Sequence, residues 1–192
     1  MSALELSNLH RYAIVVDTSV ARAASETEYP TAIHCRETLE TLDDEGYALA
    51  MSDPLWDEWN HTVLDRPEGA WDRYASRYTM SWYVSMQVRK RIAWKDLPAD
   101  NPLNDQIMET ARSIYPPESQ APADIEKDLA LIETAMVADR RVVSLNDKER
   151  RRFKRIAQAP ALHEIFWIDP DKENVPLWLC QGAPECPELR LI

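Results

Sequence analysis

The stretch "YAIVVDTSVARAA", residues 12–24, decides the fold. Ala13 to Val16 are four residues able to fill a buried strand, and a helix-forming segment follows at once. Between them stands a carboxylate, Asp17, with two hydroxyls, Thr18 and Ser19, behind it. A turn residue such as Gly or Asn would end a core strand at lower cost. Asp is also a good helix N-cap, so Asp17 gains meaning only if other carboxylates reach the same place.

Outward from this junction the chain alternates. Residues 31–45 read as a helix stopped by Gly46, and "YALAMS", 47–52, as a short strand. "DPLWDEWNHTVLD" starts a helix with Asp53 as N-cap and Pro54 at the first helical position. Residues 68–95 read as one long helical stretch and 102–114 as another, with a proline-dense link at 115–123. A helix from about 124 to 139, a strand "RVVSL", a helix over 147–158 and a strand "IFWI" at 165–168 complete the pattern. Alternating helices and buried-type strands with only three glycines imply an α/β domain on a mostly parallel sheet. Residues 169–192, with four prolines, read as an extension.

Bulk properties narrow the function. The 192 residues are 45% hydrophobic and 29% charged, enough for one domain with a substantial core. No apolar run is long enough for a membrane span, and no basic-then-apolar leader opens the chain. Three cysteines suit a reducing cytoplasm better than a disulfide framework. A net charge of −11 argues against a protein that coats nucleic acid. The segment "DRRVVSLNDKERRRFKR", residues 139–155, nevertheless holds eight of the 22 Lys and Arg residues, as a basic edge or as an ordinary solvated helix face.

Further carboxylates do point toward the Asp17 junction. In open parallel sheets, ligands gather at the carboxyl ends of the strands, where strand order reverses. On the helix after the second strand, Leu55, Trp59 and Val63 form the inward stripe. Glu58 lies beside that stripe, while Asp57 faces solvent. On "ADIEKDLALIETAMVAD", Ile125, Leu131, Ile132 and Ala135 define an inward face with Asp128 in its middle and Asp124 one turn earlier; Glu126 and Glu133 point outward. A carboxylate there is costly unless paired with a cation or protonated. Asn146 and Asp147 follow the strand that ends at Leu145. Uncompensated acids raise one another's pKa, a penalty that a divalent cation removes, and an all-oxygen set favours Mg2+ or Mn2+ over zinc.

In this order the motifs resemble those of the PIN-domain nucleases: "VVDTSV" with Asp17 and Thr18, "DPLWDEW" with Glu58, "KDLALIETAM" with Asp128, and "VVSLNDKER" with Ser144, Asn146 and Asp147. The match covers roughly residues 12 to 168. It implies a PIN-like three-layer α/β/α domain over 1–168, with a helical segment at 68–114 inserted between acidic motifs. It further implies an Mg2+- or Mn2+-dependent endoribonuclease whose metal is held by Asp17, Glu58, Asp128 and Asp147. Strict Ser-x-Asp alignment puts Asn146 at the last acidic position, so both residues enter the catalytic set. Thr18 and Ser144 would bond a metal-held water or a carboxylate, or simply cap local backbone, and Arg150, Arg151, Arg152, Lys154 and Arg155 would hold substrate phosphates. The chain is longer than the VapC-type toxin ribonucleases, for which the partners would be RNA, an antitoxin protein and a second copy of the chain, all in the cytoplasm and away from membranes.

Two rival readings stand beside the nuclease. A catalytically silent PIN-like module would bind RNA or a protein partner, and the acidic net charge and Asn146 leave room for it. A phosphoryl-accepting receiver-type domain also gathers acids at strand ends but needs a lysine after a late strand, which is not evident. Trp71, Tyr74, Tyr78, Trp82, Tyr83 and Trp94, interleaved with Arg73, Arg77, Arg89 and Arg91, suit stacking on single-stranded RNA or an ordinary packed stripe.

Overall fold

The computed structural model describes residues 12–64, 75–98, 101–156 and 158–192. Five strands, β1 (Ala13–Val16), β2 (Ala48–Met51), β3 (Ile92–Trp94), β4 (Arg141–Val143) and β5 (Phe166–Ile168), form one sheet in the order β3-β2-β1-β4-β5. Every pairing is parallel, with Ala13 opposite Ala48 and Val15 opposite both Ala50 and Val142. The all-parallel sheet explains why β1 is buried along its whole length: connecting helices cover both faces of such a sheet.

Among the described residues there are eight α-helices: α1 (Thr18–Ala23), α2 (Pro30–Asp44), α3 (Asp53–Leu64), α4 (Arg77–Val88), α5 (Pro102–Ile114), α6 (Ala121–Val137), α7 (Asp147–Arg155) and α8 (Val175–Cys180). The chain crosses the sheet one way from β1 to β3, returns to β4 and continues to β5. Right-handed crossovers therefore lay the two sets of helices on opposite faces, giving three layers. α6 packs on β1, β2 and β4 and beside α5 and α7, whereas α2 packs with α4 and α8. Trp59, Trp167, Tyr47, Tyr83 and Phe153 are the bulkiest side chains sealed in the core, each worth about 1.5–3 kcal/mol or more of burial.

Several boundaries follow local chemistry. α2 ends as expected at Gly46 (φ 80°), where Tyr47 N–H donates to Leu42 O at 3.0 Å and Gly46 N–H to Asp43 O at 3.1 Å, a Schellman closure that needs a left-handed residue. α3 starts one residue before the sequence places it: Ser52 O accepts from Trp56 N–H at 2.8 Å, so Asp53 is the first helical residue rather than the cap. The stretch 68–95 is not one helix: residues 68–74 lie outside the described residues, and the rest holds α4 and then β3, which forms the sheet edge. α4 closes with the same hydrogen-bond pair as α2, Arg91 N–H to Met86 O and Lys90 N–H to Gln87 O at 2.9 Å each. There the left-handed residue is Lys90 (φ 56°), which the sequence does not mark as a stop.

The C-terminal extension is packed on the body. α8 lies on α2, Tyr47 Oη donates to Leu179 O at 2.7 Å, and Trp178, Leu179, Leu189 and Leu191 join the core. No helix among the described residues is long and apolar enough to cross a membrane.

Candidate active site at the switch point

Between β1 and β4 the order of the sheet reverses, and the crevice outside the carboxyl ends of these two strands is where open α/β sheets take ligands. Asp17 ends β1 there and continues the pairing, its N–H donating to Val143 O at 3.0 Å. Its backbone caps α1 by accepting from Val20 and Ala21 N–H, but its side chain makes no capping bond. Instead Asp17 Oδ2 accepts from the hydroxyls of Ser19 and Ser144, the latter at 2.6 Å. With the residue only 7% exposed, the capping explanation of this carboxylate fails.

Three further elements bring carboxylates to it. α3 begins directly after β2, which sets Glu58 in its second turn. α6 ends just short of β4, and Asp139 beyond it binds Ala13 N–H at the start of β1. The amino-terminal half of α6, carrying Asp124 and Asp128, is thereby directed to the carboxyl rim. α7 follows β4 and presents Glu149.

Their protonation equilibria record the gathering. Asp128 is pushed up to about 7, first by burial and then by the charges of Asp17 and Glu58, with Arg152 opposing. Glu149 is raised far above the carboxylate range by burial and by Asp17, Asp128 and Glu58. Glu58 is also raised, by loss of water around its carboxyl and by Asp17, although the residue retains exposed surface. Two buried oxygens here, Glu149 Oε1 and Thr18 Oγ1, have no direct hydrogen-bond partner within bonding geometry among the described residues. Thr18 is nonetheless close enough to ease the ionisation of Glu58.

The fourth acid differs from the expected one. Asp147 is turned to Lys172 Nζ at 2.5 Å and Arg151 at 3.5 Å, and these cations lower its pKa. Asn146 serves as the cap of α7, accepting from Glu149 N–H at 3.2 Å. Glu149 fills the position beside Asp17, Asp128 and Glu58. A sequence signal existed: Glu149, Phe153 and Ile156 fall at i, i+4 and i+7, so Glu149 shares the face that α7 buries.

The expected phosphate-holding residues separate. Arg150 is buried and pairs with Glu173 at 3.3 Å. Arg152 pairs with Asp124. Arg151, Lys154 and Arg155 are exposed. Glu133, expected to face outward, is buried and accepts from Asn101 and Asn104 on α5 at 2.8 and 2.6 Å, because α5 covers that side of α6. Trp82 and Tyr83 are packed in the core, with Trp56 stacked on Tyr83 at 4.8 Å. Arg89 and Arg91 are bound to Asp43. Trp71, Arg73 and Tyr74 lie outside the described residues. A lysine does follow the last strand, Lys172, but it binds Asp147 and Asp169 and not the Asp17 group.

Among the described residues no group of three or more His, Cys, Asp or Glu is gathered as a metal-holding set. The chemistry of the donors does fit a hard divalent cation: four carboxylates, oxygen only, with Arg152 engaged by Asp124 and Arg22 easing the ionisation of Glu58. No protein-family model, curated protein or solved structure matches the chain.

Proposed function

We propose that the chain is an Mg2+- or Mn2+-dependent nuclease of PIN-like plan that hydrolyses phosphodiester bonds in RNA. The supporting observation is the convergence of Asp17, Glu58, Asp128 and Glu149 on the sheet's switch point, with Glu149 Oε1 buried and unpartnered. Acids so placed oppose one another at neutral pH, which a structural role does not require. The order of the sequence motifs supports RNA as the substrate class.

Asp17, Glu58, Asp128 and Glu149 would hold the cation, with Glu149 in the place that the motif resemblance gives to Asp147. When bound, a divalent ion supplies a water of lowered pKa and offsets charge on the leaving oxygen. The residues of the chain do the positioning. Ser19 and Ser144 fix the orientation of Asp17 through its Oδ2, and Leu145 N–H locks Ser19 by donating to its Oγ at 3.1 Å. Thr18 places its hydroxyl beside Glu58, where it eases ionisation of that carboxyl and could also meet a water or a substrate oxygen. Asp124 holds Arg152 at the edge of the group, where its charge favours ionisation of Asp128 and Glu149.

The test is incubation of a labelled single-stranded RNA with the purified chain. Cleavage is expected with Mn2+ or Mg2+, none with EDTA, and none with Asp17→Asn. Binding without cleavage under every metal condition would replace the nuclease with a silent binding module. A toxin role within this reading predicts growth arrest on expression, relieved by a small protein encoded in the neighbouring frame.

A further inference from the structure

A cleft of about 670 Å3 opens beside the acidic group, between the end of α5, the first turn of α6 and one face of α7. Its α7 wall is Lys148, Arg151, Arg152 and Arg155, at i, i+3, i+4 and i+7, so the four cations form one stripe along the helix. The adjoining face of α7 carries buried Glu149, Phe153 and Ile156. One helix thus turns an acid toward the switch point and a basic row toward the cleft. Arg152 is neutralised by Asp124, and Arg151 reaches Asp147 in its own first turn. Lys148 and Arg155 have no ion-pair partner among the described residues, on a chain of net charge −11. The ring of Tyr115 lines the same cleft, and its hydroxyl is buried without a hydrogen-bond partner among the described residues.

We infer that this cleft binds the backbone of a single-stranded polynucleotide, with phosphates on Lys148, Arg151 and Arg155 and a base against Tyr115. A row of cations, two of them without an ion-pair partner among the described residues, beside an aromatic ring suits a strand that is charged at every residue and carries exposed base faces. A volume of about 670 Å3 matches a small-ligand pocket, which admits a short length of open strand and not a duplex. Arg152 belongs both to the cleft wall and to the electrostatic surroundings of Asp128 and Glu149, so a strand seated here runs toward the acids. Delivery to a cutting centre rests on the nuclease reading; binding does not.

The experiment measures anisotropy of a short fluorescein-labelled oligouridylate in EDTA, where nothing is cut, and then cleavage of the same strand with Mn2+. The double variant Lys148→Glu, Arg155→Glu should weaken binding about tenfold or more and flatten the slope of log affinity against log salt by about 1.4, the loss of two single-strand phosphate contacts. Tyr115→Leu should weaken binding with no change in that slope. Lys90→Glu with Lys127→Glu, an equal change of charge on exposed sites outside the cleft, should leave the slope unaltered. Equal losses in both double variants, or a duplex that binds as tightly as the single strand, would overturn the inference. Cleft-dependent binding without cleavage would uphold the cleft and remove the nuclease. Cleavage with an unchanged KM in Lys148→Glu, Arg155→Glu would uphold the nuclease and remove the cleft.

Discussion

Two groups of acids stand side by side on one rim of the sheet, and they are solved in opposite ways. At the ends of β4 and β5, Asp147 and Asp169 share Lys172, at 2.5 and 3.3 Å from its ammonium, and Asp147 is held below the usual carboxylate range. Around Asp17 at the end of β1, the acids Glu58, Asp128 and Glu149 have no such lysine among the described residues. Hydroxyls bond Asp17, Arg152 is taken by Asp124, and burial with mutual repulsion drives Asp128, Glu149 and Glu58 upward. An acid at a strand end is therefore not in itself a site. The informative feature is an acid that the fold leaves without an ion-pair partner, because it keeps a cost that the proposed cation would remove.

The largest effect expected from this contrast is on chemistry. Asp17→Asn keeps the shape and both serine contacts but removes the central charge of the uncompensated group. Cleavage of single-stranded RNA should fall by about a thousandfold or more, the scale of a lost transition-state electrostatic contact, and the Mn2+-induced rise in Tm should disappear. Asp147→Asn, in the compensated group, should leave cleavage within a factor of about three, because its partners lie on the far side of α7; measurement of kcat/KM for both variants decides. A deep loss in Asp147→Asn with little in Glu149→Gln would restore the assignment first read from the sequence.

The next effect is on stability and its dependence on pH. A carboxyl whose pKa is higher in the folded chain than in the unfolded one holds its proton more tightly when folded. It costs stability once the pH passes the unfolded value of roughly 3.9, and the cost is complete above the folded value, about 7 for Asp128. In EDTA, Asp128→Asn should therefore match the parent Tm near pH 4 and exceed it above pH 7, by about 2–4 °C for each kcal/mol of relief. A difference that does not grow between those pH values would mean that Asp128 is not repelled by its neighbours.

The contrast also shows what a sequence displays and what it hides. Asp17 is visible because four buried-type residues lead into it, and Asp128 because it interrupts an apolar helix face. Glu149 is hidden by an ordinary pattern: Asn146 and Glu149 stand three apart, as in a capping box, so the acid reads as part of a helix start. Asp147, next to the expected motif position, draws attention that belongs two residues later. Only tertiary packing turns Glu149 inward and supplies Asp147 with Lys172 from beyond β5, a partner twenty-five positions away that no local rule connects. β3 is lost for a related reason, since Lys90 adopts the left-handed turn that a glycine would have announced. Glu133 misleads because α5 brings Asn101 and Asn104 over a helix side that would otherwise face water.

The smallest effect tests the compensated group alone. Lys172→Ala removes a half-exposed ammonium from Asp147 and from buried Asp169. Paired surface charges contribute about 0.2–1 kcal/mol, so Tm at pH 7 should drop by only a few degrees, while the Mn2+ response and cleavage stay as they are. Its pH dependence has the opposite sign to that of Asp128→Asn. A carboxylate held below its unfolded pKa contributes stability above that pKa and loses it as the pH falls through the folded value. The deficit of Lys172→Ala should thus be present at pH 7 and vanish in acid, where Asp147 is protonated with or without its lysine. Thermal melts of the two variants across the same pH series should diverge in opposite directions from the parent as pH rises. Parallel behaviour would mean that the two groups of acids share a single electrostatic environment.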